Sequence, residues 1–378
     1  MQRCEDNYFV TFSSYLTLLD FHEEQAKSSK WIRCPVNSLG VKSLDENSPL
    51  YGSTGAFAQG TTTNAVEDTA KNLGLAIQVE GDLYPVRITA YKSLLDRAKI
   101  GGTALPKLSR PILASTLNAC LGLYNSEALV LVRNEKVSAV HSGDEVDYSI
   151  LPMDELIKTL KNKLDERFPG NEFDKGYADH AMSSASWKMP NQKNDLIGAY
   201  TKMIASLGQT KFADKIVPGI RFMTSDTGIS SAKVSALLLG GQHPIHIGGC
   251  VAVDHRHGKK VEDFEKALDQ LFAQFGKSIA QLQKLLSIQL DYPVNAMTRV
   301  CKKLSMPKKA AAEAIAMFKM TCGPNATAHD VFMAMQEIPY NLKIDNTPES
   351  KMLTIEENMA RALTLNWKEF DLATEVSY

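Results

Sequence analysis

The chain has 378 residues, 44% hydrophobic and 22% charged, with a formal net charge of −1 at neutral pH. That composition suits a globular protein with a sizeable core and excludes a chain that is polycationic as a whole. A local basic track stays open, because affinity for phosphate depends on where the charges sit.

No apolar stretch approaches the ~18 residues of a membrane span, and the opening "MQRCEDNYFV" lacks the apolar core of a signal peptide. Six cysteines (Cys4, Cys34, Cys120, Cys250, Cys301 and Cys322) are scattered without paired spacing. They read as reduced thiols, so a cytoplasmic location without membrane contact is expected.

Along the chain, residues 1–50 mix short apolar pieces with polar linkers and show no clear period. The uncharged "YGSTGAFAQGTTTN" of residues 51–64 reads as a flexible loop, since no nucleotide-loop template fits its glycines. Helices are predicted at "ITAYKSLLDRAK" and at "LSRPILASTLNACLGL", the second with Ser109 as cap and Pro111 in its first turn. "ALVLVRNEKVSAVHS" predicts two strands around a polar turn at Asn134 and Glu135. In the segment that follows, Met153, Leu156, Ile157, Leu160 and Leu164 fall on one helical face.

Residues 169–217 read as polar and irregular, except for a strand pair in "GYADHAMSSASWKM". Further strands are expected at residues 221–224, 232–239 and 245–254, with Val234, Ala236 and Leu238 alternating as in a half-buried strand. From residue 261 apolar positions recur in steps of three and four up to residue 286, predicting a helix over 261–290, about 45 Å long. More helices follow, the last with Thr354 and Glu357 at capping-box spacing. The expectation is an α+β fold with a mainly antiparallel sheet in the middle, a long helix and a helical final third. Three regions are expected: 1–87, an N-terminal region with a flexible loop; 88–260, a mixed α+β core; and 261–378, helices packed on that core.

The densest chemistry lies in residues 224–260, which hold four of the eight histidines, His243, His246, His255 and His257. Their spacings match no standard zinc ligand set. On a strand, partners two apart share a face. His255 and His257 are therefore the candidate metal ligands, while His243 and His246 converge only if Pro244 bends the chain. Hydrogen-bonded or solvent-facing histidines are the plainer reading.

"DHRHGKK" also places Arg256, Lys259 and Lys260 where a strand hands over to the long helix, a junction suited to phosphate contact. A second basic segment, free of acidic residues, contains Arg299, Lys302, Lys303, Lys308 and Lys309. Its alternative reading is a solvated helical face. The hydroxyls of "TSDTGISS" either hold an anion or cap their own turn. It is no nucleophile elbow, and "FGKS" lacks the glycine that a phosphate loop needs. Tyr91, Trp187, Phe222 and Tyr292 are available to stack on bases, with core packing as the default for each.

Several of these stretches together resemble a known family. They are "ITAYKSLLDRAKIGGTALPKL", "LNACLGLYNSEALVLVRNEKVSAVHSGDEVDYSILPMDEL", "RFMTSDTGISSAKVSALLLGG", "GGCVAVDHRHGKK", "TAHDVFMAMQEI" and "LTIEENMARAL". From about residue 88 onward the chain resembles the phage- and plasmid-borne family catalogued as domain of unknown function 932. The resemblance implies a mobile genetic element in a bacterial host cell and no assigned activity. It singles out Arg133, Ser225, Gly228, Cys250, His255, Arg256 and His257. Where the family often has Asn-Gly after its cysteine, this chain has Val251 and Ala252, so a role resting on that asparagine is in question here.

The expected function is nucleic-acid binding without a cofactor, by a protein that handles or anneals single-stranded DNA in replication or recombination and assembles as a homo-oligomer. The expected contacts are Arg133, Ser230, Ser231, Arg256, Lys259, Lys260, Arg299, Lys302 and Lys303. Two alternatives remain. One is a metal-assisted enzyme using His255, His257 and Asp254. The other is a phage assembly or anti-defence protein that docks a partner on the long helix.

Overall fold

Residues 1–50, without a legible period, hold three strands and a helix in the structure, a computed structural model that describes residues 2–241, 244–345 and 347–378. β1 (Phe9–Phe12) leads into α1 (Tyr15–Ser28), which is capped by the Ser14 hydroxyl accepting from Thr17 N at 3.2 Å. The helix buries Leu18, Phe21, His22 and Gln25. Two of those four are polar, which is why the apolar period fails although the helical spacing is present.

β2 (Lys30–Pro35), β3 (Gly40–Ser43), α2 (Thr63–Lys71), β4 (Leu75–Val79) and β5 (Asp82–Pro85) follow. Residues 51–62 carry no strand or α-helix, but Phe57 and Ala58 are buried and Ala58 N donates to Leu83 O at 2.9 Å.

α3 (Ala90–Ala98) and α4 (Arg110–Leu121) stand where the sequence places them; Ser109 is the N-cap of α4 by position, without a side-chain bond. β6 (Glu127–Arg133) and β7 (Lys136–Ser142) form the expected hairpin, with Asn134 at φ 49° and Glu135 at φ 70° supplying its left-handed turn. α5 (Met153–Arg167) buries the five residues read from its period.

β8 (Glu172–Asp179) and β9 (Ser183–Lys188) are the expected strand pair. The irregular stretch expected after them is instead α6 (Lys193–Ser206) and α7 (Thr210–Lys215). Neither helix has a side-chain cap, and Gly198 interrupts the buried face of α6, so the usual start and period signals are missing.

β10 (Val217–Thr224), β11 (Ala232–Leu239) and β12 (Ile245–Val253) complete the strands. β11 is buried on both faces, not half-buried as its alternation suggests, because it lies between β10 and β12. α8 (Val261–Leu285) is five residues shorter than predicted, spanning about 37 Å. α9 (Pro293–Lys303), α10 (Lys308–Thr321), α11 (Ala328–Met335), α12 (Glu337–Ile344) and α13 (Glu349–Ala360) follow. Thr354 lies inside α13 rather than at its start. The capping box among these last helices sits on α11, between Thr327 and Asp330.

Among the described residues three antiparallel sheets result, in the orders β1-β8-β9-β10-β11-β12, β2-β6-β7 and β3-β4-β5. One core joins the six-stranded sheet to α5, α6, α8 and the later helices as far as Trp367. The other runs from Cys34 to Val140 and packs α3 and α4 on the two smaller sheets.

The N-terminal segment bolts the two together. Beside the β1–β8 pairing, Asp6 accepts from Arg87 at 3.1 Å and from Lys136 at 3.2 Å, and both cations are 0% exposed. Removing one partner of such a buried pair costs about 3–5 kcal/mol.

Candidate functional site

Between the two cores lies a cleft of about 730 Å³. Its walls are α3, the end of β7, the 227–231 turn between β10 and β11, and residues 254–256 after β12. α3 is pinned to β7 through hydroxyls. Thr89 Oγ1 donates to Ser138 O at 3.0 Å, and Ser93 Oγ accepts from Val140 N at 2.9 Å. This leaves Lys92 and Arg97 of the helix, and Lys99 at its C-cap, lining the cleft.

The floor is a stack of rings. His141 and Tyr148 lie 3.6 Å apart and 4° from parallel, and His255 continues the column 5.6 Å from Tyr148. The backbone carbonyl of Asp226 holds two of them, accepting from Tyr148 Oη at 2.9 Å and from His141 Nε2 at 2.7 Å. That contact fixes the neutral His141 with its proton on Nε2.

The Asp226 carboxylate faces the other way and pairs with Arg133, whose Nε also donates to Ser29 Oγ at 2.8 Å. A smaller cavity of about 220 Å³, lined by His22, Trp31 and Arg133, lies on that side. Burial pushes His141 down to about 4 and lowers His255, while burial and Asp226 push the Tyr148 phenol well up. The column is therefore uncharged near neutrality and works by hydrogen bonds and stacking.

The 227–231 turn closes over this floor. Gly228 has φ 76°, and a Cβ there would lie 3.3 Å from His141 Cε1, so the residue is required both for the turn and for the close approach. Ser225 and Thr227 serve the turn itself. Thr227 N and Ile229 N donate to Ser225 Oγ at 3.2 and 3.3 Å, and Thr227 Oγ1 donates to Ala181 O at 3.0 Å. Ser231 Oγ donates to Asp254 Oδ1 at 2.6 Å, joining the turn to the strand exit.

Of the nine expected nucleic-acid contacts, the structure brings Ser230, Ser231 and Arg256 to this cleft. The remainder sit elsewhere. Arg133 is buried with its guanidinium taken up by Asp226 and Ser29, so it is a structural ion pair and not a surface contact. Lys259 pairs with Asp263 at 3.6 Å, and Lys260 is the exposed N-cap of α8. Arg299 donates to Thr374 O at 2.8 Å, while Lys302 and Lys303 are exposed at the end of α9, on the far side of α8 in the chain. Trp187 and Phe222 are core residues and leave no face for a base.

The histidines part company. β12 ends at Val253, so the rule of two apart does not reach His255 and His257. His255 is buried, and His257 is exposed at φ 59°. His246 is buried 3.3 Å from Glu356, which also pairs with Arg221 and anchors α13 to the sheet. His243 lies outside the described residues. Among the described residues no group of three or more His, Cys, Asp or Glu side chains is placed to hold a metal ion.

Sequence reasoning missed Lys92, Arg97, Lys99, His141 and Tyr148. Lys92 and Arg97 lie on α3, while Lys99 is its left-handed C-cap at φ 53°, so no helical spacing links Lys99 to them. The ring column joins positions 141, 148 and 255, which no local spacing connects. Lys92, Arg97, Lys99 and Arg256 have no ion-pair partner among the described residues, although Asp96, Asp147 and Asp254 also line the cleft. No family model, curated protein or solved structure matches the chain.

Proposed function

We propose that this protein binds single-stranded nucleic acid across the cleft between its two cores, within a phage or other mobile element of the kind the family resemblance implies. One observation carries the reading. Four basic side chains without ion-pair partners among the described residues converge with the serine hydroxyls of the 227–231 turn on one concavity. At about 730 Å³ it has the size of sites that hold a nucleotide-scale ligand.

Lys92, Lys99 and Arg256 would hold backbone phosphates at the rim, with Arg97 deeper. The Ser230 and Ser231 hydroxyl protons are already given to Ser231 O at 3.0 Å and Asp254 Oδ1 at 2.6 Å, so these serines shape the rim and do not donate to phosphate. Assembly of several copies along one strand would raise affinity through avidity.

The test is fluorescence anisotropy of a labelled oligonucleotide at low salt. The double variant Lys99→Glu, Arg256→Glu should bind at least about a hundredfold more weakly, since two attractive phosphate contacts become repulsive. Unchanged binding sinks the reading.

A further inference from the structure

Behind the cleft floor lies the smaller cavity of about 220 Å³. The two concavities stand back to back. Trp31 lines the smaller one, and the rings 6.1 and 6.0 Å from Trp31 are His141 and Tyr148, which line the cleft. Asp147 lines the cleft and Ile150 the smaller cavity, so a stretch of loop spanning at most about 11 Å separates them along the chain. The entrance is open, with Ala26 exposed and Ile150 39% exposed.

The walls and the inner end differ in chemistry. Trp31, Ile150, Pro152 and Met153 supply aromatic and aliphatic surface. The inner end is polar and almost wholly buried, with Arg133 and Asp226 each 6% exposed. His22, beside them, is turned to Ser183 Oγ at 2.9 Å and to the Gln25 side chain. Arg133 Nη2 donates to Asp226 Oδ2, and Arg133 Nε donates to Ser29 Oγ. That leaves Arg133 Nη1 and Asp226 Oδ1 without a hydrogen bond among the described residues, and neither is sealed from solvent.

Charge selects among ligands. Arg133 balances Asp226, and Lys158 at 3.5 Å balances Asp154, the other carboxylate on this wall. A phosphate here meets two carboxylates and no surplus cation, so it is disfavoured. What fits is a neutral, flat molecule with a donor and an acceptor side by side on one edge.

We infer that this cavity receives one unstacked nucleobase of the bound strand, its N–H donating to Asp226 Oδ1 and its neighbouring acceptor taking a hydrogen bond from Arg133 Nη1, an inference that rests on the reading of the cleft as a single-strand site. Unstacked bases are held in this manner, against an aromatic side chain and by hydrogen bonds to the pairing edge. Every base carries a donor beside an acceptor on that edge, so the pocket takes a base as such and adds little sequence preference. Arg133 keeps its structural role, as half of a fixed ion pair that presents the polar edge. Phosphates stay with the rim cations of the cleft.

The first experiment titrates the full chain with thymidine and with N3-methylthymidine, following tryptophan emission. Trp187 and Trp367 are 0% exposed, so quenching by a nucleoside reports on Trp31. Thymidine should quench saturably with a Kd on the order of 0.1–1 mM, the affinity usual for a ligand of that size. The methyl group replaces the proton that Asp226 accepts and should weaken binding at least about tenfold. Ile150→Glu sets a charge at the entrance in place of an exposed side chain. It should weaken thymidine binding at least about tenfold without moving the melting temperature. No quenching by thymidine, or equal binding of the methylated nucleoside, overturns the inference.

The second experiment separates the pocket from the strand. Labelled oligothymidylate is compared with an abasic sugar-phosphate strand of the same length. The abasic strand should bind roughly tenfold more weakly, since the cleft keeps its phosphates and the pocket loses its base. Equal binding of the two strands overturns the base pocket and leaves the cleft reading standing. Thymidine binding without any oligonucleotide binding supports the base pocket and overturns the strand.

Discussion

The molecule has two basic regions, and they differ in kind. In the cleft, Lys92, Arg97, Lys99 and Arg256 come from two distant parts of the chain and frame a concavity floored by buried rings. On α9, Lys302 and Lys303 are neighbours in sequence and stand exposed at a helix end, lining neither cavity. The second region is the one a charge run advertises; the first is the one with shape. Cations on an open helix gain little from a polyanion beyond a screened attraction. Cations around a low-dielectric concavity gain direct hydrogen bonds.

The largest effect that separates the two regions is on stability. Asp226→Asn removes the partner of buried Arg133 and should cost about 3–5 kcal/mol, lowering the melting temperature by several degrees and abolishing oligonucleotide binding with it. Lys302→Glu, Lys303→Glu alters only exposed groups and should leave the melting temperature unchanged. Equal melting of both variants would show that the cleft has no rigid polar frame.

Next comes acid sensitivity. Burial, with Arg133 adding to it, pushes His22 down to about 4, and burial pushes His141 to about 4 as well. Burial and Arg87 take His180 lower still, to about 2. A histidine whose folded value lies below its unfolded 6.5 binds fewer protons folded than unfolded. Its contribution to stability is therefore complete above pH 6.5 and is lost as the pH falls toward the folded value. Each costs about 1.4 kcal/mol per pH unit in that window.

His141 lines the cleft, His22 lines the smaller cavity and His180 donates to Glu5 O at 2.8 Å in the N-terminal segment, whereas α9 has no histidine. His329, held by Tyr200 Oη at 2.8 Å in the helical layer, is also pushed down to about 4 and must be separated from them. Calorimetry from pH 7.5 to 5 should show a steady loss of stability beginning near pH 6.5 that survives His329→Gln. A flat profile would mean that the ring column is hydrated, not buried.

What the sequence disclosed follows from the same contrast. Local periods announce elements: the 3.6 period of α5 and α8, the Asn134–Glu135 turn, and the strands flanking residue 228 were all legible. α1 was hidden because His22 and Gln25 occupy its buried stripe, and α6 because Gly198 interrupts its face. Both polar exceptions on α1 line the smaller cavity, where a protein departs from its local pattern for a reason. The site was half legible. Ser230, Ser231, Arg256 and His255 cluster in one stretch that reads as chemistry. Their counterparts on α3 and β7 meet them only through the packing of two cores, and no spacing rule crosses that distance.

Salt dependence sharpens the comparison further. Four cleft cations on a single strand correspond to a slope of log Kobs against log salt near −3. A slope near −5 or steeper means that α9 contributes phosphates too. Adding Lys92→Gln to the unaltered protein should reduce the slope by about 0.7, the change expected when one rim contact is lost.

The smallest expected effect is the most decisive for placing the ligand. Lys302→Glu, Lys303→Glu should change oligonucleotide affinity by no more than about twofold, the scale of a screened interaction beyond one Debye length at 0.15 M salt. α8 separates the α9 lysines from Arg256 by about 37 Å of helix in the chain. If both the α9 and the cleft reversals weaken binding strongly, the strand runs across both regions, and the site is a track rather than a pocket. If only the α9 reversal does so, the exposed charge run outweighs the shaped cleft.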